Sequence, residues 1–133
     1  MSQDKTTVSV SSRGQQILDD LVHDKSLFST ELGAFLAAAS FALANGIEAV
    51  TDLGPSNGTK WNRGSGAIPQ WLSLAEWYLP TTEPVKALEA HAEAGLRVLA
   101  ERASVESDLN SLFAPVTDES ATPVGRNSLA TAD

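Results

Sequence analysis

Residues Ser29–Asn45 read STELGAFLAAASFALAN, and this stretch decides how the rest of the chain must fold. Large apolar side chains recur there at the spacing of one helix face, and small side chains occupy the opposite face. The large face consists of Leu32, Phe35, Leu36, Ala39 and Leu43, and the small face of Ala34, Ala37, Ala38, Phe41 and Ala44. The run is shorter than the roughly 20 apolar residues that span a bilayer. We therefore expect a central helix that other helices enclose on all sides.

Both ends of this helix carry terminal signals. Ser29 and Thr30 are N-cap residue types, and Glu31 places a negative charge in the first turn. Asn45 and Gly46 follow the last apolar residue, and glycine readily adopts the left-handed conformation that ends a helix. The small face predicts that another helix approaches this one closely.

Three further helices are predicted, so the expected fold class is mainly α, a small helical bundle around a buried central helix. Ser12 and Gln15 have capping-box spacing and open a helix over residues 13–23. Pro69 opens a second, in which Trp71, Leu74, Ala75 and Tyr78 follow at helical spacing until Pro80. Thr82 is the expected cap of the longest helix, whose apolar stripe consists of Val85, Leu88, Ala92, Leu96, Leu99 and Ala103.

The remaining segments give weaker signals. Residues 5–11 alternate polar and apolar side chains, which is typical of a short N-terminal strand or an extended arm. Residues 54–66 are rich in glycine and are expected to form a long surface loop. Leu109, Leu112 and Phe113 suggest a closing turn or short helix. We expect one helical domain over residues 1–114, with residues 1–5 flexible, and a disordered tail over residues 115–133.

Composition excludes several classes of function. The 133 residues contain no cysteine, which rules out disulfides and thiolate metal sites. The net charge of −8 argues against a surface that binds nucleic acid throughout. The first residues contain no apolar run typical of a signal peptide, and no segment is expected to enter a membrane, so a cytoplasmic location is expected.

No residue set typical of catalysis, cofactor binding or metal binding is evident. The acidic residues lie along amphipathic faces, and we interpret them as a solvated surface. Glu93 stands four residues before Arg97, a spacing that favours a surface ion pair. His23 beside Asp24 lacks the number and spacing of ligands that a metal site needs, and His91 is interpreted as a packing or surface residue. The chain is therefore not expected to be an enzyme.

One region has the composition of a contact site. Residues 54–75 contain no acidic residue, and Lys60, Trp61, Arg63 and Trp71 lie within or beside the glycine-rich loop. Cationic side chains can bind phosphates, and tryptophan can stack on a base or on a partner's side chain. Three interpretations stay open: a surface loop whose tryptophans anchor it to the core, direct contact with phosphate or nucleic acid, and contact with a protein.

An alternative interpretation concerns the first third of the chain. A short strand followed by two helices, over residues 6–45, is the order of elements in ribbon-helix-helix DNA-binding regulators. In those proteins, strands from two chains pair and enter the major groove. This alternative predicts a homodimer that binds DNA directly.

Two segments resemble a known family. LFSTELGAFLAAASFALANGIEA (Leu27–Ala49) and LEAHAEAGLRVLAER (Leu88–Arg102) resemble two blocks of the small proteins associated with bacterial DNA phosphorothioation, in Dnd-type defence systems. The resemblance implies a non-catalytic accessory subunit of an antiphage or DNA-modification assembly. Its expected partners are larger ATPase or nuclease subunits, and it carries no catalytic residue to this chain. The expected function is therefore that of an adaptor acting by protein–protein contact.

Overall fold

A computed structural model describes residues 6–104 and 112–115. The elements in chain order are β1 (Thr7–Ser11), α1 (Ser12–Leu18), a π-helix (Asp19–Asp24), α2 (Glu31–Ala44), β2 (Ser56–Asn62), α3 (Ile68–Tyr78) and α4 (Pro84–Ala103). The predicted mainly α class and the short N-terminal strand are confirmed. Three predictions fall outside the described residues. They are the flexible residues 1–5, the position of Leu109, and the disordered tail over residues 115–133 apart from Pro115.

The central helix α2 begins and ends where its sequence predicts. The Thr30 hydroxyl accepts a hydrogen bond from the backbone N–H of Gly33 at 3.0 Å, which satisfies one free donor of the first turn. Gly46 has a φ of 65°, the left-handed conformation that the predicted helix end requires.

The closest helix contact in the core joins α2 and α4. Ala34, Ala38 and Ala42 are fully buried on α2, and α2 packs more extensively against α4 than against any other element in the described residues. A Cβ atom added to Gly95 of α4 would overlap the carbonyl oxygen of Ala38, far inside van der Waals contact. Small side chains on both helices are therefore required for this approach, as the small face of α2 predicts.

The prediction that α2 is enclosed on all sides is wrong. Gly33, Ser40 and Ala44 are exposed, and Leu36 and Leu43 are only partly buried. The reason is that α4 packs on the side of α2 that carries Ala38, whereas no element in the described residues completely covers the edge that carries Gly33, Ser40 and Ala44. Within residues 6–104 and 112–115, no helix combines the length and apolar content that crossing a bilayer requires.

The predicted stripe of α4 is confirmed, because each of its six side chains is buried. Its predicted cap, Thr82, is wrong. The helix begins at Pro84 without a side-chain cap, and the Thr81 hydroxyl accepts from the backbone N–H of Glu83 just before it. Pro84 has no N–H to satisfy, which reduces the need for a cap at this end.

The first helix is capped one residue earlier than its sequence pattern predicts. The Ser11 hydroxyl, and not that of Ser12, accepts from the backbone N–H of Gly14 at 2.8 Å. The predicted helix over residues 13–23 also changes its winding. It is α-helical to Leu18 and continues as the π-helix Asp19–Asp24.

The predicted long loop over residues 54–66 is wrong, because it contains the strand β2. This strand pairs antiparallel with β1, and Val8 lies opposite Trp61. Gly54 and Gly66 flank the strand with φ values of 74° and 51°, so these glycines mark turns at its two ends. Polar composition and an irregular register hide the strand's alternation from a sequence pattern.

The same pairing bears on the ribbon-helix-helix interpretation. That interpretation needs β1 to pair with the β1 strand of a second chain, whereas β1 pairs with β2 of its own chain. The backbone N–H of Ser9 also donates to a carboxylate oxygen of Glu89 on α4, at 2.7 Å. β1 is thus held by contacts within the chain, and the DNA-binding alternative stays a prediction.

Two glutamates of α4 are buried, which overturns their interpretation as solvated surface. Glu89 is 6% exposed and Glu93 is 3% exposed. Glu93 accepts from the Ser11 hydroxyl at 2.6 Å and pairs with the guanidinium of Arg97 at 2.9 Å. Buried carboxylates are stable only when they are hydrogen-bonded or paired. These two anchor β1 and the start of α1 to α4.

The end of the described chain packs onto the core. Leu112 is fully buried, and the ring of Phe113 meets Phe28 and Phe41 edge to face, with ring centroids 5.8 and 5.5 Å apart. Arg102 of α4 donates to the carbonyl oxygens of Leu112 and Ala114. The predicted closing segment therefore belongs to the domain.

The α2–α4 contact yields a stability prediction. Gly95→Ala should destabilise the protein by about 1–3 kcal/mol, because the added methyl group forces the two helices apart. In a helix interior without such a contact, alanine is more stable than glycine by up to about 1 kcal/mol. A steric clash and helix propensity alone therefore predict changes in stability of opposite sign. Urea unfolding of both proteins measures the difference.

The matched control is Gly64→Ala, since a Cβ atom there meets nothing within 4 Å. Its unfolding free energy should stay within about 0.5 kcal/mol of the wild type. A stabilised Gly95→Ala protein would contradict the close α2–α4 contact.

Candidate interaction surface

The outer side of α3 exposes three large apolar side chains. Leu74 is 51% exposed, Trp77 87% and Tyr78 71%, and these are the exposed large apolar residues among residues 6–104 and 112–115. The other side of α3 is buried through Ile68, Trp71, Leu72 and Ala75. Trp77 and Tyr78 are residue types that proteins normally bury in large part. We call Leu74, Trp77 and Tyr78 the α3 face.

This exposure follows from the sequence of the helix. IPQWLSLAEWY has apolar side chains on two faces and one charged residue, Glu76. A single helix can direct only one of these faces to its own domain's core. The sequence predicts Trp71, Leu74, Ala75 and Tyr78 as one set at helical spacing. In the structure Trp71 and Ala75 are buried, whereas Leu74 and Tyr78 are exposed. The apolar content of both faces was the signal that could have revealed the α3 face.

A groove adjoins the α3 face. It encloses about 720 Å³ between the second half of α2, the segment after it, α3 and His91 of α4. Ser40, Leu43 and Ala44 contribute from α2, and Leu74 and Tyr78 from α3. A smaller depression of about 240 Å³ extends the groove toward Ala37 and Gln70.

The floor of the groove is held in place by contacts with α4. The rings of Trp71 and His91 lie 6.3 Å apart, and His91 donates through Nδ1 to the carbonyl oxygen of Ala87 at 2.8 Å. Val50 hydrogen-bonds through its backbone N–H to the carbonyl oxygen of Ala90, which holds the segment after α2 against the same helix. The groove is therefore built on the core.

The four predicted contact residues occupy different environments. Trp71 is 4% exposed and lies in the core, where it supports the groove. Trp61 is partly buried and packs on the ring of Phe35, with centroids 5.0 Å apart. Lys60 pairs with Glu31 at 2.7 Å, so an acidic residue lies beside the region that the sequence shows as acid-free.

Arg63, the remaining predicted residue, lies at the edge of another depression. This depression measures about 610 Å³ and is lined by Thr6, Thr7, Pro69 and Glu76 among others. Glu76 brings a second carboxylate into the neighbourhood of the cationic residues. Contact of Lys60, Trp61 and Arg63 with a partner or with nucleic acid stays a prediction.

A polar cluster surrounds Glu31 at the start of α2. Its carboxylate accepts from Gln15 Nε2 at 3.0 Å and from His23 Nε2 at 2.8 Å, and it pairs with Lys60. These interactions, first that with Gln15 and then those with His23 and Lys60, lower the pKa of Glu31 to about 2. The cluster ties α1, the π-helix and β2 to α2.

Asp19 completes this cluster, and its carboxylate accepts from Gln15 at 2.9 Å. Ligand atoms of Asp19, His23 and Glu31 lie within 4.8 Å of one another, which is a set of donors that a divalent cation could use. The sequence considered His23 with Asp24, and the structure instead places Asp19 and Glu31 beside it. Because the Lys60 ammonium already neutralises Glu31, we interpret the cluster as a structural hydrogen-bond centre.

The pKa of Glu31 gives a pH prediction. A carboxyl group with a lowered pKa stabilises the fold above its ordinary pKa of 4.5, and this stabilisation disappears as the pH falls toward about 2. Glu31→Gln should therefore lower the free energy of unfolding by about 1–2 kcal/mol at pH 7. The difference from the wild type should shrink between pH 4.5 and 2.

Chemical denaturation across this pH range measures the difference. Glu48→Gln is the control, because Glu48 is exposed and lies outside the cluster. A difference for Glu31→Gln that does not change with pH would contradict the cluster.

Comparison with protein-family models, with curated proteins and with solved structures finds no match to this chain. Any proposal about function therefore depends on the contacts and surfaces of the chain's own residues.

Proposed function

We propose that this chain is a non-catalytic adaptor that acts by protein–protein contact through the α3 face. The observation that carries the proposal is the exposure of Leu74, Trp77 and Tyr78 side by side on a helix whose other face is buried. Contiguous apolar surface of this kind marks interaction sites in proteins. Tryptophan and tyrosine are also the residue types that contribute most to binding energy at interfaces.

Burial of the α3 face would supply a substantial part of the free energy of binding. Two aromatic side chains can each bury about 150–250 Å², and apolar burial stabilises by ~25 cal/mol per Å². With the exposed fractions of Trp77 and Tyr78, their burial on a partner would supply roughly 6–10 kcal/mol before the cost of association. This amount supports a specific complex only if further contacts around the α3 face contribute.

The partner proposed for the adaptor comes from the resemblance to Dnd-type accessory proteins. The two segments that carry the resemblance are Leu27–Ala49, which includes α2, and Leu88–Arg102, which lies within α4. We propose that these segments supply the scaffold and that the α3 face binds a larger subunit of a bacterial defence or DNA-modification assembly. Contact with DNA would then be made chiefly by that subunit.

The proposal predicts that one side chain controls assembly. Affinity purification of the full chain, expressed together with the products of its neighbouring genes, should recover a partner protein. Trp77→Ser should reduce the recovered partner at least about tenfold, because a central interface tryptophan contributes about 2 kcal/mol or more. Since Trp77 is 87% exposed, the variant should unfold at the same urea concentration as the wild type.

Lys86→Ser is the matched control, because it also truncates a long exposed side chain on a helix but lies outside the α3 face. It should recover the partner fully. Equal recovery with Trp77→Ser would contradict the proposal. A dimer that shifts its own upstream DNA at moderate salt would instead support a DNA-binding regulator.

A further inference from the structure

The geometry and charge of the groove beside the α3 face point to the kind of segment that it binds. We propose that it takes an amphipathic helix of a partner protein, with lysine or arginine side chains flanking the helix's apolar face. This inference rests on the proposed adaptor function and names the chemistry of the partner segment.

The walls of the groove have the spacing of helix faces. Ala37, Ser40 and Ala44 follow one another along the open edge of α2, and Gln70, Leu74 and Tyr78 follow one another along α3. At 1.5 Å per residue, each wall extends for about 10–12 Å, or about two turns of a helix. An apolar helix that lies in such a groove places two or three anchoring side chains between the walls.

The α2 wall permits a close approach. Its side chains Ala37, Ser40 and Ala44 are small, and the last two are exposed. On the other side of the same helix, small residues allow α4 to come so near that Gly95 has no room for a side chain. A partner helix can therefore approach the backbone of α2 while its larger side chains enter the space beside Leu43 and Trp71.

The charge in the lining of the groove is negative. Glu48 lines the groove and no lysine or arginine does, and the sequence has none in residues 31–59 or in residues 64–85. The potential beside the groove is therefore negative, in a chain of net charge −8. Basic side chains at the edges of a bound helix would be attracted, and acidic ones would be repelled.

The same charges argue against a second copy of this chain as the occupant. The α3 helix of another copy would bring apolar side chains, but it carries no lysine or arginine that could pair with Glu48. Opposite charges across an interface favour association, and a second α3 supplies none. A basic amphipathic helix from a different protein supplies both the apolar face and the cations that the groove favours.

A model peptide tests this chemistry directly. The probe is a fluorescent synthetic peptide of about 14 leucine and lysine residues, arranged so that leucine occupies one face of a helix. One control peptide has the same composition in an order that gives no apolar helix face, and another has glutamate in place of lysine. Binding to the full chain is followed by fluorescence anisotropy, and the basic amphipathic peptide should bind at least about tenfold more tightly than either control.

Two pairs of variants locate the binding site. Ser40→Trp fills the groove without altering the α3 face and should weaken peptide binding at least tenfold, whereas Ser29→Trp, at an exposed serine before α2, should not. Glu48→Gln should weaken binding and reduce its salt dependence, whereas Asp24→Asn, at an exposed position on the π-helix, should have less effect. Urea unfolding confirms that each variant is folded.

Several results would overturn the inference. Equal binding of the two leucine–lysine peptides would show attraction by charge alone, and unchanged binding by Ser40→Trp would place the peptide elsewhere. A dimer in sedimentation that Ser40→Trp dissociates would assign the groove to a second copy. If Trp77→Ser loses the partner in co-purification while the peptide fails to bind, the adaptor function stands and the helix-in-groove inference fails.

Discussion

The close contact between α2 and α4 is the constraint on which the rest of this structure depends. The carbonyl of Ala38 lies where a side chain of residue 95 would have to be, so the two helices can approach only because residue 95 is glycine. This contact buries Ala34, Ala38 and Ala42 of α2 and aligns the apolar stripe of α4 with the core. Because protein interiors are packed nearly as densely as crystals, each neighbouring element must fit around this pair.

The other faces of these two helices explain the remaining architecture. Glu89 and Glu93 of α4 bind the backbone of Ser9 and the hydroxyl of Ser11, and thereby hold the sheet and the start of α1. Glu31 of α2 binds groups from α1, the π-helix and β2. Among the elements of the described residues, only α3 joins the core through one apolar face and leaves a second face of large apolar side chains exposed. That second face is thus the part of the helix available to a partner.

The sequence predicts local features of this fold well. The cap at Thr30, the turn at Gly46 and the stripe of α4 each depend on neighbouring residues or on a regular helical period. The strand β2 was missed because its partner β1 lies about 50 residues earlier and its composition is that of a loop. Burial of Glu93 was also missed, since a glutamate four residues before an arginine has the same pattern on an exposed helix surface.

In the candidate site, too, the sequence predicts local composition but not contacts between residues distant in sequence. The sequence predicts a contact site where cations and tryptophans occur in a region without acidic residues. Its members are Lys60, Trp61, Arg63 and Trp71. The structure places Trp71 in the core and Glu31 beside Lys60, which are relationships between residues distant in sequence. Trp77 and Tyr78 are candidates for contact with a partner because the core buries the other face of α3. Periodicity alone cannot decide which of two apolar helix faces a core will cover.

We expect α2 and α4 to form the most stable unit of the domain, and α3 to be held less strongly. Native-state amide hydrogen exchange measures this order residue by residue. Amides of Ala38–Ala42 and Ala92–Leu99 should exchange only through global unfolding, and those of Leu74–Tyr78 should exchange through openings that require less free energy. Amides of the α2–α4 contact that exchange as fast as those of α3 would contradict the central role of this contact in the fold.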